Sequence, residues 1–110
     1  MNKFSIVLVN LDPTVGHEVK KTRPCVILSP DEMNSVLKTI IVAPITSTDR
    51  AIPTRVLLRS TSDSGLANDS YAMLDQIKTI DKTRVIKQLG KVSIGEQHEL
   101  TACLQELFAL

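Results

Sequence analysis

Between Gly16 and Cys25 the chain reads Gly-His-Glu-Val-Lys-Lys-Thr-Arg-Pro-Cys, so one short stretch holds an imidazole, a carboxylate, two ammonium groups and a guanidinium. His17 titrates near neutrality and Glu18 is a carboxylate whose pKa burial can raise, so either could take up a proton. Arg23 stays charged, and its planar guanidinium can donate two hydrogen bonds to a phosphate. The run that follows, Val26-Ile27-Leu28, carries no ionisable group. A polar loop delivered onto a buried strand is a common way to hold reactive groups still.

Two further polar clusters end apolar runs. Thr46-Ser47-Thr48-Asp49-Arg50 follows Thr39-Ile40-Ile41-Val42-Ala43-Pro44-Ile45, and Asp75-Gln76 follows Ser70-Tyr71-Ala72-Met73-Leu74. A Ser/Thr-rich turn is the simpler reading of the first cluster.

The elements that must position these groups are mostly strands. Residues 5–11 are β-branched and stop at Asp12-Pro13, and Gly16 gives the loop that follows a residue free to adopt positive φ. Pro24 biases Arg23 towards an extended backbone at the mouth of a strand over residues 24–28. Ser29-Pro30-Asp31-Glu32 has the pattern of a capping box and predicts a helical turn at about residues 30–37. Residues 39–43 read as a central strand, 54–59 as an edge strand, 60–69 as a surface loop and 70–76 as a further strand. Residues 81–84 predict a short helix or turn, and 90–92 a closing strand. Ser93 and Glu96 form a second capping-box pattern, and Leu100, Cys103, Leu104, Leu107 and Phe108 fall on one helical stripe. Strands this close together, with few helices between them, predict a mainly β, α+β domain: a small antiparallel barrel or coiled sheet with short helices and a C-terminal helix.

With 110 residues the chain has the size of a single domain, 1–110. All thirteen Lys and Arg lie in residues 1–91 against nine acids, whereas residues 92–110 carry three acids and no Lys or Arg. A mildly basic body suits a polyanionic ligand and equally an ordinary solvated surface. Trp is absent and only Phe4, Tyr71 and Phe108 are aromatic, which argues against recognition by broad aromatic stacking platforms. Cys25 and Cys103 are expected as two reduced core thiols, and they cannot form a structural zinc site by themselves. No leader pattern or membrane-length apolar run is evident, so a soluble, cytoplasmic protein without membrane contacts is expected.

Leu11-Asp12-Pro13-Thr14, Gly16-His17-Glu18, Thr22-Arg23-Pro24, Ile27-Leu28-Ser29-Pro30, Ala43-Pro44-Ile45-Thr46-Ser47 and the run from Leu74 to Asp81 resemble, in order, the MazF/PemK/Kid family of toxin ribonucleases. The resemblance implies an SH3-like barrel, a homodimer, and sequence-specific, metal- and cofactor-independent cleavage of single-stranded mRNA to 2′,3′-cyclic phosphate and 5′-hydroxyl ends, arresting translation and growth. It also implies a cognate antitoxin whose C-terminal segment covers the RNA groove, and operator DNA binding through that antitoxin. Carried onto this chain, it gives Arg23, Glu18 and Thr46 as catalytic residues, with His17 an alternative base. His17, Lys20, Lys21, Ser47, Asp75, Gln76 and Lys78 become RNA-binding or auxiliary residues, Asp75 orienting Arg23 or meeting RNA. The chain departs from Kid-like members at Met73, where they carry an arginine. A CcdB-like toxin that binds DNA gyrase without catalysis is the alternative.

Overall fold

In a computed structural model, which describes residues 1–11, 16, 21–50 and 52–110, seven strands form one antiparallel sheet. In chain order they are β1 (Ser5–Asn10), β2 (Thr22–Ile27), β3 (Thr39–Thr46), β4 (Arg55–Leu58), β5 (Ser70–Met73), β6 (Lys78–Asp81) and β7 (Val85–Lys91). Helix α1 (Asp31–Val36) precedes β3, and α2 (Ile94–Leu107) closes the chain. The strands run β4-β5-β3-β2-β1-β7, with β6 also on β3.

β3 is the hub. One edge of it pairs with β2, Cys25 opposite Pro44 and Ile27 opposite Val42. Its other edge is shared: Thr39 to Val42 face β6, whereas Ile45 and Thr46 face β5. Pro44 has no N–H to donate, and it falls where one partner has ended and the next has not begun. The 3₁₀ turn Leu74–Gln76 carries the chain from β5 to β6 past this gap, with Leu74 fully buried. Pro24 is placed on the same logic, since it pairs with Leu8 on β1 while the β2–β3 register begins one residue later.

Alternation along the strands makes two apolar clusters. Ile6, Val26, Ala43, Ile45, Val56, Leu58, Ala72 and Leu74 face α2 and meet Leu100, Cys103 and Leu104. Val7, Val9, Leu11, Cys25, Ile27, Ile40, Val42 and Ile80 form the second cluster on the other side, closed by Val85.

The hydrogen-bonded ladder does not close into a full barrel, because β4 and β7 do not pair. The loop between β4 and β5 lies down on β7 instead, and Lys91 N donates to Asp63 O at 2.9 Å. Glycines permit the approach: a Cβ on Gly90 would stand 2.1 Å from Asp63 O, and one on Gly65, at φ +68, would stand 2.2 Å from Leu89 O.

The expected capping box of α2 forms, Glu96 N donating to Ser93 Oγ and Ser93 N to Glu96 Oε1. The other Glu96 oxygen accepts from Arg59 N at 2.7 Å and fastens the helix start to the end of β4. The capping box expected at Ser29 does not form, and Pro30 is the N-cap without a side-chain bond. Ser29 turns inward, donates to Asn34 Oδ1 and accepts from Ile41 N, so its hydroxyl ties α1 to β3. The apolar stripe of α2 also ends early, for Leu107 is 38% and Phe108 67% exposed. β6 was not expected, and β7 begins five residues before the predicted closing strand. Cys25 is buried, Cys103 half-buried, and both are free thiols. Among the described residues no helix is long and apolar enough to cross a membrane.

Leu100 is fully buried between α2 and the sheet. Leu100→Ala should cost about 2–5 kcal/mol, read by denaturant unfolding. A loss below about 1 kcal/mol would mean that α2 does not anchor this core.

Candidate active site

The loop bearing His17, Glu18 and Lys20 lies outside the described residues, but its stem does not. Leu11 N donates to Lys21 O at 3.1 Å, which extends the β1–β2 ladder one step past Asn10 and Thr22. Lys21, exposed and at φ +70, turns the chain into β2. Gly16, within the loop, has φ +62.

The β2–β3 pairing ends at Cys25 opposite Pro44, and two residues beyond it on each strand, on the same face by alternation, stand Arg23 and Thr46. Arg23 is half-buried and its Nη1 donates to Ile45 O at 3.5 Å, which holds the guanidinium at the end of β3. Among the described residues it meets no carboxylate. Thr46 Oγ1 accepts from Thr48 N at 3.2 Å, so the hydroxyl hydrogen is left to donate elsewhere. Ser47 is exposed beside it. Lys78, opposite Val42 on β6, belongs to the same face.

Cys25 lies beneath these cations. Burial pushes its thiol up to about 12, against the opposing pull of Arg23 and Lys78. It is therefore a neutral floor and not a thiolate nucleophile. The same sheet face thus passes from an apolar cluster at Val9, Cys25 and Val42 to a cationic and hydroxylic end at Arg23, Lys78 and Thr46. Such an end can bind a phosphate by charge and by directed donors.

A family model for the PemK-like, MazF-like toxin of type II toxin–antitoxin systems matches residues 2–108. The chain belongs to this family. It is 34% identical to Endoribonuclease MazF9 of Mycobacterium tuberculosis, strain ATCC 25618 / H37Rv, over 96% of this chain and 93% of that protein. It is 38% identical to Endoribonuclease PemK of Escherichia coli over 84% of this chain and 70% of that one. An endoribonuclease from a mycobacterial species, solved in complex with its cognate antitoxin, shares the fold with a TM-score of 0.82 at 23% identity, covering 100% of this chain and 96% of the other.

In this PemK/MazF-like chain Asp75 does not orient Arg23. Its carboxylate is taken by Arg55, whose Nε and Nη2 donate at 2.9 and 3.3 Å, and by the Thr54 hydroxyl at 3.1 Å. Arg55 stands on β4 directly opposite Met73 on β5, so the guanidinium beside Asp75 comes from the adjacent strand and not from position 73. Gln76 is half-buried in the same 3₁₀ turn. Sequence patterning missed Arg55, because its partner depends on a strand register that spacing along the chain does not reveal. It also missed Tyr71, which pairs with Thr46 across β3 and β5.

Burial would raise the Asp75 pKa, but hydrogen bonds from Arg55, its own backbone and Thr54, with the Arg55 charge, hold it below the ordinary carboxylate value. A lowered folded pKa contributes stability above the unfolded value, and that contribution is lost as pH falls through the folded value. Arg55→Met should move the Asp75 titration upward in a carboxylate ¹³C NMR experiment and shift the acid limb of stability to higher pH. An unchanged Asp75 midpoint would show that the pair does not control this charge.

Proposed function

We propose that this chain is the endoribonuclease toxin of a type II toxin–antitoxin pair and that it cuts single-stranded mRNA without a metal ion or cofactor. The observation that supports the reading is the Arg23 Nη1 hydrogen bond to Ile45 O, which brings the guanidinium to the end of β3, one residue before Thr46, at the stem of the loop that bears His17 and Glu18.

The ribose 2′-oxygen attacks the adjoining phosphorus and its proton passes to a base in the loop, Glu18 or His17. Arg23 and Thr46 donate to the non-bridging oxygens as negative charge builds on the phosphorane. The P–O5′ bond breaks, O5′ gains a proton from an acid in the site, and the products are a 2′,3′-cyclic phosphate and a 5′-hydroxyl end. Metal independence is supported by this donor set, because a guanidinium and a hydroxyl can together meet the charge that a cation would otherwise meet. Lys20, Lys21 and Lys78 hold flanking phosphates, with Ser47, Asp75 and Gln76 at the margins of the groove. The cognate antitoxin lays its C-terminal segment over this groove, and the pair binds operator DNA through the antitoxin. The toxin acts as a homodimer in the cytoplasm, and mRNA cleavage stops translation and growth.

The test is to incubate the protein with a long mRNA transcript in EDTA beside Arg23→Ala, and to map cut sites and end groups. Discrete cuts with 5′-hydroxyl ends, slowed roughly 100-fold or more in the variant, are expected. Cleavage that stops in EDTA would overturn the metal-free scheme. Intact RNA with folded protein would overturn the ribonuclease reading and turn attention to gyrase binding.

A further inference from the structure

Three aromatic side chains are spread over the molecule, and one of them belongs to the face just described. Phe4 packs against the α2-side core, with the Lys3 ammonium 5.1 Å from its ring centre. Phe108 stands at the exposed end of α2. Tyr71 is the exception. It lies directly opposite Thr46 on β5, so its ring projects on the side of the sheet that carries Arg23 and Lys78.

The ring is half-buried, and its surroundings hold it in place. Leu57 is its partner on β4, also half-buried, while Met73, two residues on and on the same face, is 3% exposed. Burial, with the Asp49 carboxylate three residues past Thr46, raises the phenol pKa. The ring is thus seated between β3 and β4 neighbours, with part of its surface left to solvent.

We propose that Tyr71 is the stacking platform for the base of a nucleotide adjoining the scissile phosphate, and so a specificity-determining residue of the RNA site. The proposal rests on the ribonuclease reading. Directly opposed residues on one face of an antiparallel pair have Cβ atoms about 5 Å apart, so a phosphate held by Thr46 places its own nucleoside within reach of the ring. Single-stranded RNA offers unstacked bases, and an aromatic face receives them. The chain does not need a row of aromatics for this purpose, because lysines and Arg23 supply backbone affinity while one ring selects where the strand settles.

The experiment compares the parent with Tyr71→Phe, Tyr71→Leu and Tyr71→Ala on the same long mRNA transcript. It reads cut positions by sequencing and single-turnover rates against RNA concentration. Tyr71→Phe keeps the π-face and should retain the cut sites, with half-saturation within about 3-fold of the parent. Tyr71→Leu keeps apolar bulk without a ring, and it should match Tyr71→Ala: roughly 10-fold or more weaker RNA binding and a relaxed base preference at one position next to the cut, with unchanged end chemistry. Thermal melting identifies any variant that fails to fold, and the Phe and Leu pair decides the matter whether or not the Ala variant survives. Equal specificity and affinity in Tyr71→Leu and the parent would overturn the stacking role and leave the ribonuclease reading intact. A parent that leaves the RNA whole would overturn both.

Discussion

The structure depends on how one edge of β3 is shared. β6 takes its first half, β5 takes its last two residues, and of the two positions between them the second is Pro44, which has no N–H to leave unpaired. This arrangement lets the strand serve two partners in succession without stranding a buried donor. It also frees the far end of β3 from the β6 side, so Thr46 emerges between β5 and β2 where the second apolar cluster has ended. A residue able to donate at position 44 would carry an N–H into the gap, where a buried donor without a partner costs about 1–3 kcal/mol.

The division of labour between the two sheet faces follows. One face is covered by α2 and carries the larger apolar cluster, which includes Leu58, Leu74 and Leu100. The opposite face is apolar only over its β1, β2 and β6 portion, and it hands over to Arg23, Lys78, Thr46, Tyr71 and Arg55. The proposed site residues on β2 to β5 therefore stand on strands whose backs face the helix-side core. Strands hold positions more closely than loops do, which suits the charge-stabilising role proposed for Arg23 and Thr46.

Much of this was legible along the chain, for identifiable reasons. β-branched runs marked β1, β2 and β3, and the Ser93–Glu96 pair marked the start of α2, because these signals act within a few residues. Arg23 and Thr46 could be singled out by residue type, but that Arg23 reaches the end of β3 is a property of the β2–β3 pairing. The failures share a cause. Ser29 has the pattern of a cap yet is drawn inward by Asn34 and by the backbone of Ile41, a competition decided by tertiary contacts. The Arg55–Asp75 pair could not be read along the chain because Arg55 reaches Asp75 only across a strand pair. β6 is four residues long and has little pattern of its own, so only its seat on β3 makes it a strand.

In the proposed function RNA lies on the sheet face turned away from α2, across the ends of β2 and β3. The most direct measurement is an NMR titration of ¹⁵N-labelled protein with a 2′-O-methyl RNA oligonucleotide that contains the mapped cut sequence, which can bind but cannot supply the attacking hydroxyl. Saturable shifts are expected at the Arg23 side chain and at the amides of Thr46, Ser47, Tyr71 and Lys78, with α2 residues such as Leu100 and Thr101 left unmoved. Shifts centred on α2, with Arg23 and Thr46 silent, would contradict it.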